Sequence, residues 1–236
     1  MKAEQRLNAL EGLQQFLTAY LTDDKANPLS GKFSELDGKL HDTQLYNGWF
    51  TKENVLKSLS GIAHLLKKAD LQKALAQGSD PLHPKTVAII MAGNIPAVGF
   101  HDLLCVLLSG NKALIKLSSD DPILIPFLLE ILVSIAPDFK EQIAYAENKL
   151  SNFDAVIATG SNNSANYFET YFGKYPHIIR KNRNSVAVIT GKESAEELAM
   201  LGTDIFYYYG LGCRNVSKIY VPEGYVLDPV FESVFN

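Results

Sequence analysis

Thr86-Val-Ala-Ile-Ile-Met-Ala-Gly-Asn-Ile-Pro96 is the stretch from which the fold is read. Its first seven residues form an unbroken apolar run rich in β-branched side chains. A strand covered on both faces has that pattern, whereas a strand with one wet face alternates. Gly93-Asn94-Ile95-Pro96 ends the run, and Gly99 to Ser109 then reads as a helix stopped at Gly110. Lys112-Ala-Leu-Ile-Lys-Leu117 is a second apolar strand. Ser118-Ser-Asp-Asp-Pro122 has the composition of a helix start, with N-cap residues and a proline in the first turn, and Pro137 ends the helix that follows.

The alternation continues along the chain. Ile143 to Ala146 is a short third strand, and Asp154-Ala-Val-Ile-Ala158 is a clear fourth. Thr159-Gly160-Ser161-Asn-Asn163 leads into an amphipathic segment through Tyr167, Phe168, Tyr171 and Phe172. Ser185 to Thr190 reads as a further strand, Ser194 to Tyr207 as a helix, and Lys218 to Val221 as another strand. Strands alternating with helices from residue 85 onward predict a doubly wound, Rossmann-like parallel α/β sheet. Such sheets bind ligands beyond the carboxyl ends of their strands. The loops at 93–96, 118–119, 159–161 and, later, Gly212-Cys213 are expected at such ends. The Thr-Gly-Ser turn offers backbone N–H groups and a hydroxyl at a helix N-terminus, which suits a phosphate, although a bare structural turn has the same composition.

Upstream, leucines and aromatics from Leu7 to Leu21 recur every three or four residues, the stripe of an amphipathic helix. Residues 22–50 carry four turn dipeptides, among them Asp37-Gly38 and Asn47-Gly48, and read as a long connection. Thr51 caps a second helix, and a short third one starts near Asp70. Trp49-Phe50 reads as a hydrophobic plug. The expected organisation is a helical segment over 1–84, a cofactor-binding domain over 85–190, and the start of a further domain over 191–236.

The 236 residues are 47% hydrophobic and 20% charged, with a net charge of −4. That composition is ordinary for a globular protein and carries no basic surface for nucleic acid. No apolar run is long enough for a membrane span. Two cysteines, without an export signal, lead to an expectation of reduced thiols in the cytoplasm. The five histidines lie far apart, without metal-ligand spacing. Cys105, inside Leu103-Leu-Cys-Val-Leu-Leu108, reads as core packing. Cys213 differs. It follows Gly210 and Gly212 in Tyr207-Tyr-Tyr-Gly-Leu-Gly-Cys213-Arg-Asn, where no neighbouring side chain blocks approach to the sulfur. A thiolate there can act as a nucleophile; a small buried thiol beside a turn is the competing reading. The Tyr207–Tyr209 run reads as an acyl-channel wall or, for at least two of its rings, as core.

Taken in order, these short motifs resemble the aldehyde dehydrogenase superfamily, and within it the acyl-CoA reductases of the bacterial-luciferase fatty-acid reductase type. Gly93-Asn94-Ile95-Pro96 matches the family's Asn-aromatic-Pro loop, with isoleucine for the aromatic. Gly110-Asn111 through Lys116-Leu-Ser118 matches the segment that supplies a lysine to the cofactor's adenosine ribose. Ala158-Thr159-Gly160-Ser161 matches the turn beside the cofactor pyrophosphate, and Gly210-Leu-Gly-Cys213 the nucleophile turn. The resemblance implies catalytic roles for Cys213 (nucleophile) and Asn94 (oxyanion donor). It implies cofactor contacts at Lys116, Ser118, Gly160 and Ser161, with NADP favoured and NAD admitted. For Lys116, a solvated lysine at a strand end is the competing reading. No metal is implied.

The departures refine the expectation. The family's hydrolytic members carry a glutamate that activates water; the corresponding stretch here, Ile178-Ile-Arg-Lys-Asn-Arg-Asn184, has no carboxylate. The resemblance therefore implies NADPH-dependent reduction of a long-chain acyl-CoA, or of an acyl group handed over by a donor protein, to an aldehyde through an S-acyl-cysteine. Family members continue well beyond the nucleophile, so an aldehyde-dehydrogenase-like fold with a truncated catalytic domain is expected. The alternative is a non-catalytic nucleotide-binding or partner-binding relative. A homo-oligomer is compatible with both.

Overall fold

The structure, a computed structural model, describes residues 1–147 and 149–235. The chain divides into two compact units, Met1–Lys181 and Asn182–Asn236.

The first unit is built on a five-stranded, all-parallel sheet. Its strands are β1 (Thr86–Ile90), β2 (Lys112–Lys116), β3 (Ile143–Tyr145), β4 (Ala155–Thr159) and β5 (His177–Arg180). Their order in space is β3-β2-β1-β4-β5, so the chain winds outward from β1 in both directions. This is the doubly wound sheet that the alternating pattern predicts. Side chains alternate between the faces of β1: Ile89 joins the larger core and Ala88 the smaller. The larger core lies against α5 (Phe100–Leu108), which links β1 to β2, and α6 (Leu124–Ile135), which links β2 to β3. The smaller core lies against α7 (Asn162–Phe172), between β4 and β5, through Phe168 and Phe172.

Over α5 and α6 lies a further helical layer: α1 (Ala3–Leu21), α2 (Phe33–Tyr46), α3 (Lys52–Leu65) and α4 (Lys68–Leu75). Leu10, Leu13, Phe16 and Leu17 of α1 are fully or almost fully buried. Burying a side chain of this kind stabilises by about 1.5–3 kcal/mol. Arg6 is 1% exposed and pins α1 to the end of α5. Its Nε donates to the Leu108 carbonyl (3.0 Å), Nη1 donates to the Met1 carbonyl (2.7 Å), and Nη2 pairs with Asp80. Gly110, at φ +79°, ends the α5 turn close against this guanidinium.

Three elements differ from the sequence pattern. Residues 22–50 are not a bare connection, because α2 forms there and buries Phe33, Leu36, Leu40 and Thr43. That spacing is helical, and packing overrides the turn propensity of Asp37-Gly38. β5 forms where no strand is predicted; it is a short edge with Ile178 52% exposed. Trp49 is exposed, and only Phe50 plugs the core.

The second unit holds α8 (Ala195–Phe206), a 3-10 turn at Tyr207–Gly210, α9 (Asp228–Phe235) and two parallel strands, β6 (Ser185–Val188) and β7 (Val216–Tyr220). The strand anticipated over 185–190 thus forms, but it pairs with β7 in a separate two-stranded sheet. Ser194 caps α8 in a reciprocal box with Glu197. Ile189, Leu198 and Val230 make the unit's small core. No helix among the described residues is long and apolar enough to cross a membrane.

Candidate active site

The register of the sheet sets the geometry of the first unit's site. Ile90, at the end of β1, is level with Lys116 on β2 and with Ala158 on β4. The loops after these three strands therefore leave the same edge. Their meeting place is the point where strand order reverses, the usual ligand crevice of a doubly wound sheet. Asn94, Lys116, Ser118, Gly160 and Ser161 all lie on these loops or at the strand ends that begin them.

Asn94 is exposed on a loop held from several directions. The Pro96 carbonyl accepts from Ser58 Oγ of α3 at 2.6 Å, and the Ala97 N–H donates to Asp121 Oδ2 at 2.6 Å. A Cβ at Gly93 would overlap the Ser118 side chain, so glycine is needed for the loops after β1 and β2 to interlock. Ser118 Oγ also accepts from the Asp120 N–H (3.2 Å), and Lys116 Nζ donates to the Glu147 carbonyl at 2.9 Å. Both residues are thus tied into the carboxyl edge of the sheet.

Ser161 is the N-cap of α7; its Oγ accepts from the Ser164 N–H at 3.1 Å. Gly160 permits close approach of strand end and helix, since a Cβ there would stand 2.9 Å from Ser164 Cβ and 3.0 Å from the Phe168 ring. Ser161, Asn162 and Asn163 are exposed at the start of α7, and its first turn carries no carboxylate. An open, uncharged helix start at the switch point fits a dinucleotide pyrophosphate in donor set and field.

Cys213 belongs to the second unit and is exposed; it lies on the turn leading into the amino end of β7, not beyond the carboxyl end of a strand as the sequence pattern suggests. The turn that presents it is built on Asn215, a residue without a motif signal in the sequence. Asn215 Oδ1 accepts from the Gly212 N–H at 2.7 Å, while Nδ2 donates to the carbonyls of Asp204 (2.9 Å), Ile205 (3.3 Å) and Tyr207 (3.0 Å). One buried amide thus ties the end of α8 to the cysteine turn. Gly212 is required there, because a Cβ would lie 2.5 Å from Asn215 Oδ1. Tyr208 (φ 50°), Tyr209 (φ 56°) and Gly210 (φ 73°) lie in succession in the left-handed region. For the two tyrosines this costs of order 1–3 kcal/mol each. None of Tyr207–Tyr209 is buried, and Tyr209 is 52% exposed, so the ring-core reading of this run is not met.

A second cluster joins α5 to β5. Arg180 Nη1 donates to both oxygens of Asp102, at 2.5 and 2.6 Å. Burial works to raise the Asp102 carboxyl, but His101 and Arg180 outweigh it and hold the group below the ordinary carboxylate range. His101 Nδ1 lies 3.5 Å from Asp102 Oδ1. Cys105 is exposed beside them, which corrects its reading as core: α5 buries Leu103, Leu104, Val106 and Leu107, and His101 and Cys105 share the opposite stripe. Desolvation, with Asp102 second, pushes the Cys105 thiol up. Exposure alone therefore does not distinguish the two cysteines.

Comparisons with known proteins bear on these features. The family described as "Acyl-CoA reductase (LuxC)" matches residues 20–230. The long-chain acyl-protein thioester reductase of Aliivibrio fischeri is 24% identical over 153 residues, covering 58% of this chain and 32% of that protein. The matched stretch thus spans about a third of that relative's length. Among solved structures, an Escherichia coli NADP-dependent enzyme superposes with a TM-score of 0.72 at 14% identity, over 100% of this chain and 51% of that one. An aldehyde dehydrogenase from Bartonella henselae gives 0.69 at 13% identity, over 99% and 51%. The fold is that of the aldehyde dehydrogenases, covering part of their chain, and the protein belongs to the acyl-CoA reductase (LuxC) family.

Proposed function

We propose that this chain takes part in reduction of a long-chain acyl thioester to an aldehyde through an S-acyl intermediate on Cys213. The observation that carries the reading is the exposed sulfur on a turn held by Asn215, at the position of the family's nucleophile motif. The Cys213 thiolate attacks the thioester carbonyl carbon. The carbonyl π electrons move to oxygen, and the tetrahedral oxyanion is held by the Asn94 amide and the Cys213 N–H. Losing one such donor costs about a hundred- to a thousand-fold in rate. The oxyanion then collapses, the donor's thiolate leaves, and the acyl group stays on sulfur. Asn94 and Cys213 belong to different units, and their action on one carbonyl is inferred from the order of the family motifs.

Lys116, Ser118, Gly160 and Ser161 are assigned to a nicotinamide dinucleotide, with the α7 start receiving its pyrophosphate and Lys116 its adenosine ribose. That group, when bound, supplies the hydride that takes the thioester to the aldehyde level. NADP is preferred over NAD in this reading, as the E. coli structural neighbour is described as an NADP-dependent enzyme. No carboxylate stands between Ile178 and Asn184 to activate water, so the acyl-cysteine persists until hydride or a thiol meets it. The acyl donor is an acyl-CoA or an acylated protein, the latter suggested by the relative's name, and the site of action is the cytoplasm.

The test is a chase. Protein acylated with palmitoyl-CoA, freed of excess donor and given NADPH, is expected to release hexadecanal, with none from Cys213→Ala. Retention of the acyl group with unconsumed NADPH would limit this chain to accepting the acyl group and overturn the reductive step; a chain that takes up no acyl group would be left with nucleotide or partner binding.

A further inference from the structure

Of the contacts that hold the Asn94 loop, one is made by a residue in an energetically costly place. Asp121 is 3% exposed, and its Oδ1 has no hydrogen-bond partner among the described residues. Burial pushes its carboxyl up to about 6, against the pull of the Ala97 and Leu124 N–H groups. Its interaction with the Leu124 N–H at the start of α6 does not by itself require this, since an exposed Ser or Asp serves a helix start without desolvation. Burial of the carboxyl achieves something else. Oδ2 accepts from the Ala97 N–H at 2.6 Å, and Ala97 is held at φ +52°, a left-handed conformation costly for a residue with a Cβ. Ala97 directly follows Asn94-Ile95-Pro96, whose other side is fixed by Ser58 and by the Gly93–Ser118 packing.

We infer that Asp121 is a positioning residue for Asn94: by accepting the Ala97 N–H it fixes the left-handed turn that closes the loop, and so the direction of the Asn94 amide. The inference rests on the reading of Asn94 as an oxyanion donor. It makes the loop after β2, which that reading assigns to cofactor, a support for the acyl chemistry as well.

Two rates on the whole chain test it: acyl mass gained from palmitoyl-CoA, and alkylation of Cys213 by iodoacetamide, a displacement that forms no oxyanion. Asp121→Ala is expected to slow acylation about ten-fold or more while leaving alkylation within about two-fold. Asp121→Asn, which keeps an acceptor oxygen for Ala97, is expected to restore most of the rate. In an Asn94→Ala background, Asp121→Ala is expected to add nothing further. An undiminished loss in that background, a parallel loss of both rates, or wild-type acylation by Asp121→Ala would overturn the inference. Wild-type acylation by Asn94→Ala, or none by the unaltered chain, would instead remove the oxyanion reading. The brace is then decided by amide hydrogen exchange at Ala97. Slow exchange, lost in Asp121→Ala and kept in Asp121→Asn, is expected; fast exchange in the unaltered protein would overturn it.

Discussion

The two units hold their candidate-site loops by opposite means. In Met1–Lys181 a deep apolar core, continuous from α1 to the sheet, supports a buried carboxyl that grips a backbone N–H beside Asn94. In Asn182–Asn236 the core is three buried side chains among the described residues, and the cysteine turn is held by a neutral amide that satisfies one donor and three acceptors. A large core can carry the desolvation of a charge, whereas a two-stranded sheet with a small core is marginal even with neutral groups. The outer face of that sheet, with Val186 at 56%, Val188 at 70% and Tyr220 at 49% exposure, gains little from burial.

Substitutions can break or sharpen this contrast. The largest expected effect is in the first unit: Phe16→Ala, at a fully buried ring, should cost about 3–5 kcal/mol in chemical denaturation. A cost below about 1 kcal/mol would show that α1 is not part of the cooperative core. Asn215→Leu comes next. It removes four hydrogen bonds and strands the Gly212 N–H, and should cost about 3 kcal/mol with fast amide exchange at Gly212. Unchanged exchange would transfer the support of the cysteine turn to other residues.

Asp121→Asn should run the other way. A carboxyl whose folded value, about 6, is raised above its ordinary 3.8 takes up a proton more readily when folded. Its contribution is fully present below pH 4 and is lost as pH rises through 6. Replacement by Asn should therefore stabilise by up to about 3 kcal/mol at pH 8 and by almost nothing at pH 4. Melting curves at the two pH values would show it; a pH-independent difference would contradict the buried ionisation. Gly212→Ala should cost about 1–3 kcal/mol through overlap with Asn215 Oδ1. Val188→Ala should change stability by less than about 0.5 kcal/mol. A larger loss there would reveal that another chain covers this face in solution.

Much of this architecture was legible in sequence because continuous apolar strands and periodic helices are local patterns. Thr86–Ala92 and Lys112–Leu117 could hardly be anything else. The misses are residues whose state depends on distant partners. Asp37-Gly38 has turn chemistry, yet Phe33, Leu36 and Leu40 find α1 and α3 and make a helix. β5 is too short and too exposed for its pattern to rise above a loop. Cys105 sits among leucines in sequence, but only helix geometry shows which stripe faces out. At the candidate site, glycines, Asn94, Lys116, Ser161 and Cys213 were visible as motifs. Asp121 and Asn215 were not, because each acts by reaching the backbone of another segment, which no local pattern encodes.

The most direct measurement is the intact mass of the protein after incubation with palmitoyl-CoA, beside Cys213→Ala. One palmitoyl group on the unaltered chain, absent from the variant, is the expected result. A folded chain that gains no mass, or a variant that gains the same mass, would contradict Cys213 as the acyl acceptor.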